Sequence, residues 1–142
     1  MFTHILLTSD GSECALEAAN IAAALANKLG SHLTLVNVFQ PSLYSAPYGE
    51  RVDIGIDDNY IAGLQEDALC DAVRVLDDHD VPYQSRKEVG NPAAVIVRVA
   101  EEEKCDLIVL GSRGLGGVMR FLLGSVSDRV THHAHCPVLI VR

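Results

Sequence analysis

Several features that mark common classes of protein are missing from this sequence. No window approaches 18 consecutive apolar residues, so no membrane-spanning helix is predicted. The start of the chain carries no lysine or arginine ahead of its short apolar run, so no signal peptide is expected and the predicted location is the cytoplasm. The cysteines are widely spaced, with no C-x-x-C pair, and we expect reduced, mostly buried thiols at Cys14, Cys70, Cys105 and Cys136.

Two familiar nucleotide-binding motifs are missing as well. The sequence has no G-x-x-x-x-G-K-[ST], which argues against a P-loop NTPase, and no G-x-G-x-x-G after its first predicted strand, which argues against the usual dinucleotide fold. A phosphoacceptor receiver domain would need an acidic pair after the first strand and an aspartate at the end of the third. Here Asp10 is solitary and the third strand ends in Glu88-Val89-Gly90, so a receiver is not predicted.

The charge is distributed unevenly along the chain. The net charge is −8, and residues 53–80 account for all of it, with nine acidic side chains against Arg74, while ten acidic and ten basic residues balance elsewhere. One interpretation is a solvated helix face that keeps the protein soluble. The other is a docking surface for an unidentified basic protein partner. Neither provides the basic stripe that binding to nucleic-acid phosphates needs, so no nucleic-acid partner is predicted.

The pattern of apolar residues predicts one α/β domain. With 142 residues, 49% of them hydrophobic, the chain is long enough to bury a core of its own. Periodicity and turn residues predict strands at 2–8, 33–39, 83–89, 107–110 and 138–141, and helices at about 12–29, 57–79, 91–103 and 125–134. The segment from Pro41 to about Asp57 is predicted to be a long loop.

Strands that alternate with helices predict a five-stranded parallel sheet in a Rossmann-like, three-layer α/β/α fold, because βαβ crossovers are right-handed and cover both faces. We expect the strand order 3-2-1-4-5, with the polar third strand at an edge. The order then reverses between strands 1 and 4, and ligands of open α/β sheets bind at such a point, beyond the carboxyl ends of the strands. Asp10 and Gly111 both follow strands that end there.

A glycine motif follows the fourth strand: Gly111, two residues, Gly114, nine residues, then Gly124-Ser125. Glycines allow positive φ and a close approach of the backbone to a ligand, and successive N–H groups in such a loop cradle anions. The first amides of the following helix, at Ser125, Val126 and Ser127, add the positive end of its dipole. Residues 107–127 contain Arg113 and Arg120 but no acidic residue, which suits a phosphate.

This spacing resembles the signature of the universal stress protein family, in its ATP-binding branch. Further matches are the start, residues 5–12, the segment Gly90-Asn91-Pro92 with Ile96, and the end, residues 136–141; together they leave only the region of about 40–60 outside the pattern. The resemblance implies ATP as ligand, with Mg²⁺, and a homodimer formed through Val138–Val141. The same strand is apolar throughout, and an apolar edge strand tends to associate unless it is paired or covered.

By resemblance, Asp10 contacts the ribose, Thr8 lines the site and Val38 contacts the adenine ring. The hydroxyls of Ser125 and Ser127 and the amides at 125–127 hold the β- and γ-phosphates, while Arg113 and Arg120 are either phosphate ligands or merely solvated. The whole predicted nucleotide site comprises Thr8, Asp10, Val38, Leu110, Gly111, Arg113, Gly114, Gly124, Ser125, Val126 and Ser127.

The predicted function is regulatory: an ATP-binding protein of a stress response that signals to a partner through nucleotide occupancy. No general base is evident near the glycine motif, so rapid hydrolysis is not expected. A slow ATPase or phosphotransferase at the same site is the alternative, and a nucleotide-free dimeric scaffold is a third possibility. A metal site at His132, His133, His135 and Cys136 is less favoured than simple polar side chains at a helix C-terminus, where they are stabilising.

Overall fold

The computed structural model describes residues 1–41, 57–114 and 122–142 of the chain, and their strands and helices alternate as predicted. The strands are β1 His4–Thr8, β2 His32–Phe39, β3 Tyr83–Val89, β4 Leu107–Gly111 and β5 Val138–Val141, and the helices are α1 Glu13–Leu29, α2 Asp58–Asp78, α3 Pro92–Glu102 and α4 Ser125–His133. The predicted bounds differ from these by at most two residues. The predicted loop from Pro41 to Asp57 lies, except for its two ends, outside the described residues.

The five strands form one parallel sheet in the order β3-β2-β1-β4-β5, which confirms the predicted fold and places β3 and β5 at the edges. β1 is central, since Ile5 pairs with Leu33 of β2 on one side and with Leu107 of β4 on the other. The order therefore reverses between β1 and β4. The helices that follow these two strands, α1 and α4, pack on opposite faces of the sheet, and a crevice opens between the strand ends.

Alternate residues of each strand face opposite layers of helices. Ile5 and Leu7 pack with the first layer, α1 and α2, whereas Leu6 and Ile108 pack with α3 and α4 in the second. The side of α1 that contacts the sheet is made of alanines: Ala15, Ala18, Ala19, Ala22, Ala23 and Ala26. Such small side chains let the helix axis lie close to the sheet, which brings the start of α1 against the end of β4.

The helices begin where the sequence places capping residues. Ser12 accepts a hydrogen bond from Ala15 N at 3.2 Å and Asn91 from Ala94 N at 3.2 Å, and Pro92 occupies the first turn of α3. Gly30 ends α1 with a φ of 70°, the left-handed conformation that favours glycine. Because these caps fix where each helix starts, they set the positions of the loops at the carboxyl edge of the sheet.

At the opposite edge, a polar network links the buried side chains of His4 and Thr34 to the exposed side chain of Gln84. Nε2 of His4 lies 2.8 Å from Oγ1 of Thr34, which also accepts a hydrogen bond from Gln84 at 3.0 Å. The ring of His4 lies against that of His32, with centroids 4.0 Å apart. Burial, and then the proximity of His32, lower the pKa of His4 below its usual value, so the structure favours the neutral imidazole.

The four cysteines are free thiols, as expected, but they are not mostly buried. Cys105 is buried, and burial raises the pKa of its thiol to about 12. Cys14 and Cys136 are half-buried, and Cys70 lies exposed on α2. The expectation was wrong for Cys70 because its position falls on the solvent side of a helix whose buried side carries Leu69 and Ala72.

Among the helices of the described ranges, none is long and apolar enough to cross a membrane.

Candidate nucleotide site

A cavity of about 630 Å³ opens at the carboxyl edge of the sheet, over the crevice between β1 and β4. Its walls come from the ends of β1, β2 and β4, from the first turns of α1, α3 and α4, and from the middle of α2. The structure brings every residue of the predicted site to this cavity: Thr8, Asp10, Val38, Leu110, Gly111, Arg113, Gly114, Gly124, Ser125, Val126 and Ser127. Arg120 lies outside the described residues.

The three motif glycines are required by close packing rather than by their φ angles. The glycines with positive φ in the described ranges are Gly11, Gly30 and Gly90, so the expectation of positive φ in the motif was wrong. A Cβ at Gly111 would instead lie 2.8 Å from Cys14 Cβ and 2.9 Å from the Cys14 carbonyl carbon. Gly111 thus admits the start of α1, whose backbone could not otherwise come so near to β4.

The other two motif glycines approach the loop and Asp10. A Cβ at Gly114 would lie 2.7 Å from Oδ2 of Asp10, and a Cβ at Gly124 would lie 3.0 Å from the Ser112 carbonyl oxygen. A side chain at Gly114 would therefore displace the Asp10 carboxylate or the loop, and one at Gly124 would press on the Ser112 backbone. At these two positions it is therefore the backbone that faces the cavity.

Hydrogen bonds join the two ends of this loop. Gly124 N donates to the Ser112 carbonyl oxygen at 2.6 Å. The hydroxyl oxygen of Ser127 lies 2.9 Å from the Ser112 carbonyl oxygen and 3.0 Å from that of Gly124, so its one proton is donated to one of them or shared between them, and Ser127 is 1% exposed. Its proton is therefore bound within the protein in this structure. The expected role of that hydroxyl as a phosphate donor does not fit this geometry, and only the Ser127 amide is available for it.

The amides at the start of α4 have no partner among the described residues. Gly124 is the N-cap and supplies no side-chain cap to the helix. In the described ranges, the hydrogen bonds of this turn begin with Asp128 N, which donates to the Gly124 carbonyl oxygen at 3.0 Å. The N–H groups of Ser125, Val126 and Ser127 thus remain at the positive end of the helix dipole, on the wall of the cavity, and an anion satisfies such groups best.

Asp10 stands between the two halves of the cavity, at the end of β1. Its Oδ1 accepts a hydrogen bond from Ser12 N at 2.9 Å, which holds the turn into α1. Its Oδ2 lies against Gly114 on the other side of the crevice. The carboxylate is half-buried and can still accept a hydrogen bond from a hydroxyl in the cavity. This position fits the ribose contact that was expected of it.

The far wall of the cavity combines β2 with α2 and α3. Val38 lies half-buried there, beside Asn37, whose side chain donates to the Ser9 carbonyl oxygen at 2.9 Å. Ser9 in turn donates from its hydroxyl to the Ala68 carbonyl oxygen of α2 at 2.9 Å. These bonds fasten the middle of α2 over the end of β2, so that an apolar pocket forms between α2 and Ile96 of α3.

Sequence reasoning missed the contribution of α2, namely Leu64, Gln65 and Ala68. Helical periodicity assigns Leu64 and Ala68 to the core, and nothing in the pattern shows that the core opens into a cavity there. Gln65 gave a usable signal, because it is a polar residue on the buried side of the helix, four residues before Leu69. Such a residue needs a specific partner.

The histidines near the end of α4 take part in local hydrogen bonds. A ring nitrogen of His132 lies 2.8 Å from the Asp128 carbonyl oxygen, and one of His135 lies 3.2 Å from that of Cys105. No cluster of three or more metal-binding side chains occurs within residues 1–41, 57–114 and 122–142. These bonds suit a structural role at the helix end.

Comparison with known proteins agrees with the fold and sheet order. A sequence model described as "Universal stress protein family" matches residues 1–142. A universal stress protein of Thermus aquaticus is 37% identical over 145 residues, covering 100% of both chains. The structure of a universal stress protein from Lactobacillus plantarum superposes with a TM-score of 0.78 at 28% identity, over 99% of this chain and 98% of that one. The structure of a universal stress protein in complex with cAMP superposes with a TM-score of 0.72 at 25% identity, over 99% of this chain and 97% of that one.

Proposed function

The chain belongs to the universal stress protein family, and from that premise we propose that its cavity binds an adenine nucleotide, ATP with Mg²⁺, whose occupancy regulates a response to stress. The observation that carries the proposal is the start of α4. Three amides without partners among the described residues lie there beside Gly111, Gly114 and Gly124, where close packing leaves little room for a side chain. A phosphate chain matches this arrangement in charge and in hydrogen-bond capacity.

The rest of the cavity suits the remainder of a nucleotide. The Asp10 carboxylate lies at the end of β1, between the glycine loop and β2, where a ribose hydroxyl would donate to it. The wall of Val38, Leu64 and Ile96 is apolar and suits the face of a base. The family member solved with cAMP shows that a related fold accepts an adenine nucleotide.

Mg²⁺ would enter this site with the nucleotide. Proteins bind Mg²⁺ mainly through one or two carboxylates together with phosphate oxygens. Asp10 is the one acidic side chain among the described residues that line the cavity, and one of its oxygens is bound to Ser12 N. The residues therefore fit an ion that the phosphates hold, with at most one protein carboxylate near it.

Slow hydrolysis or phosphotransfer is the alternative use of the same site. Among the described lining residues of the phosphate end, we find no side chain suited to act as a general base, and the Ser127 hydroxyl is bound to backbone carbonyls. We therefore propose turnover far below the roughly 10 s⁻¹ of a median enzyme. Phosphate release at several molecules per second by pure protein, lost in a Gly111 or Gly124 variant, would establish the enzymatic alternative.

We further propose a cytoplasmic homodimer. The four free cysteines fit a reducing compartment, and β5 is an edge strand that carries only apolar side chains. Nucleotide occupancy would then be available to partner proteins as a signal. The acidic surface of α2 is one place where a basic partner could dock.

Extraction of ligand from denatured, freshly purified protein, followed by mass spectrometry, tests the proposed function. An adenine nucleotide in the extract, or saturable binding of added ATP by ligand-free protein, is the expected result. Protein that yields no nucleotide and binds no added ATP while folded would overturn the proposal. Protein that yields a different anion would reassign the site.

A further inference from the structure

Gln65 is a buried amide in the wall of the cavity, with its nitrogen bound to the backbone. The residue is 5% exposed. Its Nε2 donates to the Glu88 carbonyl oxygen at 2.8 Å and lies 3.4 Å from that of Asn37. Because both neighbours are acceptors, the NH₂ group must face them, and the amide oxygen must lie on the other side. The orientation of the amide is thus set by β2 and β3.

The amide oxygen of Gln65 has no donor among the described residues. Every fully buried side-chain nitrogen or oxygen in that part of the protein does have a partner. The oxygen is therefore not fully buried, and because Gln65 is a lining residue of the cavity, the cavity is the space that this oxygen would face. A polar atom in so buried a side chain is normally hydrogen-bonded. It presents an acceptor to whatever occupies the cavity.

The position of Gln65 in the sheet identifies the part of a nucleotide that it would meet. It bridges Asn37 of β2 and Glu88 of β3, and β2 lies two strands from β4, where the glycine loop begins. At about 4.8 Å between strands, that is roughly 10 Å or more from the phosphate end. Asp10, at the end of β1, lies between them. Phosphates on the loop and a ribose at Asp10 therefore direct the base toward Gln65.

We propose that Oε1 of Gln65 accepts a hydrogen bond from the exocyclic amino group of the base, and that it selects adenine over a 6-oxo purine. The inference rests on the proposed nucleotide binding. A base with an oxo group in place of the amino group would bring two acceptors together. The amide cannot turn to donate instead, because its nitrogen is committed to Glu88.

Comparison of ATP with inosine triphosphate tests this role. Inosine triphosphate has the same ribose and phosphates but carries an oxo group where adenine carries its amino group. By equilibrium binding, we expect the wild type to prefer ATP by about tenfold or more. Gln65→Met keeps the length of the side chain but removes the acceptor, and it should bring the ratio of the two affinities toward one. Gln84→Met, the same change at an exposed glutamine of β3, should leave the ratio unchanged.

The ratio of the affinities for ATP and inosine triphosphate distinguishes recognition of the base by Gln65 from structural damage in the variant. Loss of the Gln65–Glu88 bond alone would lower the affinities for both nucleotides together and leave their ratio unchanged. That result would overturn the inference. Equal affinities in the wild type would also overturn it, without any need for the variant to fold. A folded wild type that binds neither nucleotide would instead contradict the proposed function itself.

Discussion

Oδ2 of Asp10 lies 2.7 Å from the point that a Cβ of Gly114 would occupy. The two residues are far apart in sequence, and the reversal of strand order between β1 and β4 brings them together. The contact joins the proposed ribose contact to the proposed phosphate loop. A change at either residue should therefore affect nucleotide binding more than it affects the fold.

Gly114→Ala should lower the affinity for ATP by tenfold or more. The new methyl group cannot share the space of the Asp10 carboxylate, so either the loop or Asp10 must move. Isothermal titration calorimetry measures the effect. Gly63→Ala is the matched control, because a Cβ at Gly63 of α2 meets nothing within 4 Å and alanine favours a helix by about 1 kcal/mol. If both variants bind ATP like the wild type, Gly114 does not shape the site.

Asp10→Ala should lower the affinity for ATP by roughly tenfold to a hundredfold. Hydrogen bonds to a charged group contribute about 1.5–3 kcal/mol, and each 1.4 kcal/mol changes an affinity by about tenfold. Asp10→Asn should be milder, since its amide oxygen can still accept from Ser12 N while its NH₂ group can donate to the oxygen of a ribose hydroxyl. Calorimetry on both variants, with circular dichroism as the check on folding, gives the comparison. An affinity within twofold of wild type in Asp10→Ala would remove Asp10 from the site.

His4 should make the fold sensitive to mild acid. Its pKa in the folded protein is lowered by burial and by His32, so the unfolded chain takes up a proton at a higher pH than the folded one. The stabilisation is therefore fully present above the unfolded pKa of about 6.5 and is lost as pH falls through it toward the folded pKa. Urea unfolding at pH 7.5 and 5.5 should show a larger loss in the wild type than in His4→Gln. Equal losses in the two proteins would assign the pH dependence to other groups.

Ile140→Pro should convert the proposed dimer to a monomer. The bonds from Ile108 N to the Pro137 carbonyl and from Ser112 N to the Val141 carbonyl show which peptide groups of β5 face β4. In a strand, the N–H and C=O of one residue point to the same side, and successive residues alternate between the two sides. Pro137 and Val141 direct their carbonyls toward β4, so Ile140 directs its N–H outward, where a second β5 would bind it. Val141 is a poor choice for disruption, because it is 6% exposed and packs in the core.

Light scattering at micromolar concentration measures the oligomeric state. Ile140→Val keeps the amide and the branched side chain and should remain dimeric with the wild type. A wild type that is monomeric at this concentration would refute the dimer through β5.

The fold was predictable from the sequence because its signals are local. Apolar runs, the Ser12 and Asn91 caps and the position of Pro92 each act within a few residues, and a βαβ alternation leaves few sheet orders. The proposed phosphate end of the site could be predicted for the same reason, since Gly111 to Ser127 is one continuous segment, and its residues 111–114 and 124–127 line the cavity. The bounds of β3 and β5 follow directly from turn residues and apolar runs beside them.

What the sequence did not reveal depends on contacts between distant segments. The need for glycine at position 111 comes from Cys14, on another element, and no local pattern encodes it. The place of Gln65 depends on how α2 crosses the ends of β2 and β3. The hydroxyl of Ser127 has its donor direction set by Ser112, which the motif spacing alone does not indicate.

Calorimetric titration of ATP into ligand-free wild-type protein and into Gly124→Val tests whether the glycine motif and the start of α4 bind the nucleotide. A branched side chain at Gly124 would meet the Ser112 carbonyl oxygen at 3.0 Å and Arg113 Cα at 3.4 Å, and so displace the loop from the amides of α4. We expect saturable binding by the wild type and none by the folded variant. Unchanged ATP affinity in Gly124→Val, or a folded wild type that binds no ATP, would contradict this expectation.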